Sequence, residues 1–376
     1  MKSMIPTTTN SKSHLKAIQN LCAALGIMTI ACNACAGPFV LAYTDGQLPQ
    51  ASVNLELFHG KLSAVGLGSA YGMTDKGTID GSGANSITDD IIKISKSKSL
   101  PIYPTISDYN QKIERFDEAI SNAILTDPVK FSSSIQHLVN FANSKVFAGI
   151  DLDFEAVETK NKDAFSRYVR DLGKALHASG KKLIISIPAK ISDLEPEYLG
   201  GYDYAEIGRS VDYFQVMTYD QVGPGWSSGG FNGETWPGPE SGADWQKAML
   251  EYAVSRVPAN KVLSGLPTYG YDYSTKDQVH WADYTKVISA HKATVSRDSA
   301  SQTPFATWGP VTQFTEEVEW SKKTAQPVLW FDDTASIVAK TRLVGALNLA
   351  GTSVWAMGYE NAEFWNAVEK GLKATK

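Results

Sequence analysis

The sequence predicts an α/β fold: a (β/α)8 barrel of the TIM type with a small insertion between its seventh and eighth strands. Three observations carry this prediction. Eight short apolar runs alternate with longer stretches of helical spacing. The connection after the seventh run, from Tyr269 to about Pro327, is too long for an ordinary strand-to-helix loop. One run carries acids on a single face, as a strand lining a barrel axis would.

The chain begins with a segment whose composition differs from that of the predicted barrel. Residues 1–36 hold Lys2, Lys12 and Lys16 but no acid, then the apolar run Leu21 to Ala31, then Ala34-Cys35-Ala36 ahead of Gly37. This is the layout of a secretory signal peptide with a small-x-small cleavage site. Its apolar run of about 11 residues falls short of the roughly 20 that span a bilayer. The expectation is therefore a secreted or periplasmic protein whose mature part, residues 37–376, is one barrel with no transmembrane span. A lipid-anchored form attached at Cys32 is the alternative, disfavoured by Thr29 where such a signal usually has an aliphatic residue.

Composition narrows the function classes. At 43% hydrophobic and 20% charged, the chain can bury a large core. Its three cysteines, Cys22, Cys32 and Cys35, all leave with the leader, so the mature chain has no disulfide to form. The leader also takes three of the 35 basic residues and none of the 40 acids, moving the formal charge from -5 to -8. With no basic run and no aromatic-basic interleaving, nucleic acid is not an expected partner, and an acidic surface suits a neutral substrate. The six histidines are scattered and no Cys/His cluster has ligand spacing, so neither a metal nor a redox cofactor is expected. A monomer is expected.

From Gly37 onward the predicted strands are Phe39 to Tyr43, Leu62 to Leu67, Ile102 to Ile106, Phe147 to Phe154, Leu183 to Ile187, Tyr213 to Met217, Val262 to Leu266, and Thr352 to Ala356. Between the fourth and fifth, Phe165, Tyr168, Val169, Leu172 and Leu176 recur at helical spacing, and Gly180 ends that helix. Further helices are read over Ile91 to Ser99, Asp127 to Ala142, Ala243 to Arg256 and Ala335 to Leu349. The insertion's aromatics, Tyr271, Tyr273, Trp281, Tyr284 and Trp308, are read mostly as its own core, with a wall beside the site as the other reading.

The fourth run holds the candidate chemistry. Asp151, Asp153 and Glu155 alternate with Ile150, Leu152 and Phe154, so a strand puts the three acids on one face, neighbours roughly 6 to 7 Å apart. Carboxylates stacked this way cannot all stay ionised, and at least one pKa should rise. That is what a general acid near neutral pH requires, and Glu155 lies where the strand runs out. Active sites of such barrels sit at the carboxyl ends of the strands. The same end should gather Tyr43, Met217, Tyr219, Asp220, Tyr269 and Trp355. Trp226, Trp236 and Trp245 in or beside the loop after the sixth strand are weaker candidates, with Trp245 expected to pack on its helix. Asp332 and Asp333 are read as helix caps, and Glu158, Glu234 and Glu240 as solvated loop acids.

Gly149-Ile150-Asp151-Leu152-Asp153-Phe154-Glu155 resembles the Asp-Gly-x-Asp-x-Asp-x-Glu signature of glycoside hydrolase family 18, the chitinase-like enzymes. Gln215-Val216-Met217-Thr218-Tyr219-Asp220 is similar to that family's sixth-strand motif, Gly265-Leu266-Pro267-Thr268-Tyr269-Gly270 to its seventh, and Trp355 to the aromatic of its eighth. The segment from Val328 to Gly358 is most similar to the branch of bacterial cell-wall and spore-cortex N-acetylglucosaminidases. The resemblance implies hydrolysis of a β-1,4 bond after N-acetylglucosamine, with retention and with the sugar's own 2-acetamido group as nucleophile. It implies Glu155 as acid and base, Asp153 orienting the acetamido group, Asp151 sharing the pair's proton, Tyr219 bonding the acetamido oxygen, Asp220 positioning the sugar, and Trp355 as its floor. Chitin oligomers and peptidoglycan glycan both remain open as substrates. Ala148 replaces the family's first motif Asp, at the far end of the strand from Glu155. The rival readings are a carbohydrate-binding protein without turnover and an endoglycosidase on N-linked glycans. The intact Glu155 favours the enzyme.

Overall fold

The computed structural model describes residues 37–374 apart from 194–196, 228–230, 232–235, 311, 314–323 and 326. The leader read at residues 1–36, with Cys32, lies outside the described residues, as does Glu234.

All eight predicted strands form: β1 (Phe39–Asp45), β2 (Ala64–Met73), β3 (Ile102–Ser107), β4 (Gly149–Asp153), β5 (Lys182–Pro188), β6 (Tyr213–Met217), β7 (Val262–Pro267) and β8 (Gly351–Met357). Each pairs in parallel with the next, and β1 pairs with both β2 and β8, so the sheet closes on itself. Helices follow the strands, among them Ser86–Ser97, Pro128–Ser144, Lys162–Ala178, Ala243–Arg256 and Thr334–Ala346. Their starts are legible locally. Asp127 caps Val129 and Lys130 with Pro128 in the first turn, and Asn85 makes a reciprocal capping box with Thr88. The helix over Lys162–Ala178 ends ahead of Gly180, whose φ is 68°.

Two apolar layers result. Between strands and helices lie Ile150, Leu152 and Phe154, all fully buried, with Phe154 stacked on Phe165 and Tyr168 at 6.2 Å each. Inside the barrel a smaller cluster of Leu41, Tyr43, Tyr103, Ile184 and Leu263 is joined by Ala148 and Trp355. Ala148, just before β4, thus belongs to the apolar lower interior, away from the acids. The inner face of β2 is bare for a steric reason. A Cβ on Gly66 would come within 2.3 Å of the Tyr43 ring, and one on Gly68 within 2.6 Å of Trp355.

Between β7 and β8 the chain builds a five-stranded antiparallel sheet in the order Asp277–His280, Tyr269–Asp272, Val328–Trp330, Pro304–Thr307 and Thr294–Arg297, with the helix Tyr284–His291 beside it. Its central strand, Val328–Trp330, extends this unit past Pro327. Asp333 caps the helix over Thr334–Ala346 through a capping box with Ser336. Asp332, in contrast to its reading as a cap, is buried and accepts from the buried Lys340 ammonium at 2.6 Å. Burial decides this, because neither charge can stay inside without the other.

Lys340→Met leaves Asp332 as an unpaired buried acid and is expected to cost about 3–5 kcal/mol in urea unfolding, with Asp332→Leu added to it recovering most of the loss. A single-variant cost under about 1 kcal/mol would show that the pair does not hold this junction.

Candidate active site

Asp151 is fully buried in the barrel. Thr105 Oγ1, from β3, donates to its Oδ2 at 3.0 Å, and Ser186 Oγ, from β5, donates to its Oδ1 at 3.1 Å. The Ser186 oxygen is left to accept from the Tyr43 hydroxyl of β1, 3.1 Å away. Even with these donors, burial pushes the Asp151 pKa up to about 6. One level up, Asp153 Oδ1 is enclosed with no hydrogen-bond donor. Burial, followed by the charges of Glu155, Asp151 and Asp108, raises Asp153 well above the usual carboxylate range.

β4 ends at Asp153, so Phe154 and Glu155 lie beyond the strand predicted to contain Phe154. The ladder with β3 ends where Ser107 stands opposite Asp153. Glu155 therefore rises from the loop at the mouth. Burial first, then the nearby charges of Asp108 and Asp220, pushes its pKa up to about 8. A carboxyl held protonated at neutral pH can donate a proton to a departing oxygen.

Two depressions flank the acids. One, of about 580 Å3, is lined by Asp153 and Trp355 together with Asp45, Ser69, Tyr109 and Gln111. The other, of about 200 Å3, is lined by Glu155, Met217, Tyr219, Asp220, Tyr198 and Trp226. Asp153, Glu155, Tyr219, Asp220, Met217 and Trp355 are thus gathered at one end of the barrel. Tyr43 and Tyr269 line neither depression. Tyr43 is buried beside Trp355, ring centroids 6.1 Å apart, and acts on Asp151 through Ser186. Tyr269 stands behind Asp220, whose Oδ1 accepts from the hydroxyls of Tyr269 at 2.9 Å and Tyr271 at 3.1 Å.

Two neighbours of the candidate residues escape sequence reasoning. Asp108, directly after β3, is fully buried and accepts the backbone N–H groups of Glu155 and Ala156. Its position at a strand's carboxyl end was the available signal. Glu240, read as a solvated loop acid, is buried, and its Oε1 accepts from the Asp220 N–H at 2.6 Å. That bond holds a residue with φ of 57°, a left-handed conformation uncommon for anything but glycine. Glu158 is hydrogen-bonded to Asn122 and paired with Lys160 near the surface. Trp245 is buried and also lines the depression beside Glu155, whereas Trp236 stacks on Tyr273 away from it. Of the insertion's aromatics, Tyr271 reaches the site, and Tyr273, Trp281 and Tyr284 are buried. Among the described residues no group of three or more His, Cys, Asp or Glu is placed to hold a metal ion.

Known proteins share this family and fold. The profile of Glycosyl hydrolases family 18 matches residues 70–360. The crystal structure of a class V chitininase from Pseudomonas fluorescens Pf-5 is 62% identical, superposes with a TM-score of 0.86, and corresponds to 89% of this chain and 99% of that one. An uncharacterized glycosylase of Bacillus subtilis, YvbX, is 30% identical over 345 residues, 90% of this chain and 92% of its own. The cortical fragment-lytic enzyme of the same organism is 26% identical over 281 residues, which span 60% of its length. With a family profile covering most of the barrel and the acids of its fourth strand in place, the chain belongs to glycosyl hydrolases family 18 and is a glycoside hydrolase.

Proposed function

We propose that the protein cleaves the β-1,4 bond that follows an N-acetylglucosamine unit, with retention, in chitin oligomers or peptidoglycan glycan. The observation that carries this is an Asp153 oxygen enclosed without a hydrogen-bond partner below Glu155 at the mouth, a carboxyl whose pKa burial pushes up to about 8. Family membership supplies the substrate-assisted scheme. The acetamido oxygen of the sugar attacks its anomeric carbon as the glycosidic C–O bond breaks, and the Glu155 proton passes to the leaving oxygen. Asp153, with its free oxygen, orients the acetamido N–H and offsets the positive charge of the oxazolinium intermediate, while Asp151 beneath it shares the pair's proton. Tyr219 bonds the acetamido oxygen, Asp220 positions the sugar, and Trp355 carries its apolar face. Water then attacks the anomeric carbon, returns a proton to Glu155, and the acetamide re-forms. The name of the chitininase relative favours chitin, that of the cortical enzyme wall glycan. A signal peptide over residues 1–36 would place the enzyme outside the cytoplasm.

Glu155→Gln is expected to lower turnover by several orders of magnitude on the cleaved glycan while oligosaccharide binding persists. Mass spectrometry of products from chitin oligosaccharides and from purified peptidoglycan reads both the loss and the preferred glycan. Near-normal turnover by the variant refutes the assignment. A thiazoline analogue of N-acetylglucosamine is expected to inhibit competitively, and indifference to it argues against substrate assistance.

The same proton bears on stability. With its ordinary value of 4.5 raised to about 8, folded Glu155 keeps a proton that the unfolded chain loses, so its contribution falls as pH rises through that window. Glu155→Gln should match the wild-type melting temperature near pH 4 and exceed it at pH 8. Equal melting temperatures at both would show that Glu155 carries no such penalty.

A further inference from the structure

We propose that Asp108 is a positioning residue for the acid: its two carboxylate oxygens anchor the backbone beneath Glu155 and set a second carboxyl beside it. The inference rests on the reading of Glu155 as general acid.

The geometry is that of a backbone clamp. β4 pairs with β3 only as far as Asp153 and with β5 only as far as Leu152, so the N–H groups of Glu155 and Ala156 have no ladder partner. Asp108 takes both, Oδ1 from Glu155 at 2.9 Å and Oδ2 from Ala156 at 3.1 Å, from a fully buried position. Buried N–H groups left unmade would cost free energy. The rest of the turn is pinned as well. The Tyr202 hydroxyl donates to Phe154 O at 3.0 Å and accepts from the Val157 N–H, and Ser121 donates to Ala156 O at 2.5 Å. Among the described residues no side chain is seen to hydrogen-bond the Glu155 carboxyl, so the hydrogen bonds that support its aim are those of this backbone turn.

The electrostatics agree. The groups around the pair are Asp153, Asp220, Tyr219 and Tyr202 near Glu155, and Asp117 near Asp108. None is a cation. Burial lifts Asp108 to about 7, against the two N–H bonds that favour its ionised form, and after burial its charge is the leading cause of the higher value at Glu155. Two N–H bonds favour the ionised form of Asp108, and no hydrogen bond seen among the described residues does the same for Glu155.

The test is Asp108→Asn, assayed beside wild type and Glu155→Gln on a chitin oligosaccharide and on an aryl glycoside whose leaving group needs little protonation. An asparagine accepts one N–H, turns its own NH2 toward the other, and carries no charge. Expected are a fall in kcat of about 10- to 100-fold on the oligosaccharide with KM changed less than about threefold, a smaller fall on the aryl glycoside, and an alkaline limb of kcat/KM moved to lower pH. Equal losses on the two substrates with the limb unmoved would reduce Asp108 to fold support and overturn the proposal. If Glu155→Gln keeps its turnover, the reading of Glu155 fails instead. Should Asp108→Asn not fold, carboxyl carbon NMR titration of the wild-type chain decides: Asp108 ionising below Glu155 is expected, and an Asp108 that holds its proton above Glu155 overturns the proposal.

Discussion

The mouth of the barrel is organised by carboxyl groups that cannot all be charged. Asp151, Asp153, Glu155, Asp108 and Asp220 converge there, and burial raises each acid of the column. A cation would let the acids ionise and would remove the proton that family chemistry calls for. Donors are instead rationed by depth. Asp151 receives the hydroxyls of Thr105 and Ser186, and Asp153 above it has an oxygen with none. The column therefore grades from a bonded acid at the bottom to a protonated one at the top.

Holding such a column costs stability, and the surrounding barrel bears that cost through packing. The outer faces of the same residues are apolar, so each acid turned inward is matched by Ile150, Leu152 or Phe154 turned outward into the helical layer. Inside, bare glycines on β2 admit the Tyr43 and Trp355 rings, which close the interior beside the acids. The aromatic surface at the mouth and the absence of side chains on β2 are two sides of one steric arrangement.

Asp220 shows how the insertion enters the site. It follows β6, adopts a left-handed backbone, and is held from three directions: Glu240 on its N–H, Tyr269 and Tyr271 on its carboxylate. Two of those partners lie on the first strand of the sheet inserted after β7. The insertion therefore contributes structurally to the end of the barrel that carries the acids, and the buried Asp332–Lys340 pair ties the segment after its last strand to the helix that leads into β8.

Periodicity alone was enough to read the barrel and the acidic face. A two-residue alternation and a helical repeat are local properties, and eight of them in alternation admit few closed architectures. Strand ends placed Tyr219, Asp220 and Trp355 beside the acids, and motif resemblance gave them roles that no local pattern carries. What only the tertiary structure decided were contacts between segments far apart in sequence. Asp108 reads as an ordinary polar residue until the ladder beside it runs out and two N–H groups need an acceptor. Glu240 reads as a loop acid until its carboxylate is found under Asp220, and Asp332 as a cap until Lys340 reaches it. Burial and hydrogen-bond partners are set by how strands and loops meet, and a linear pattern records which faces are apolar without recording what each polar group will face.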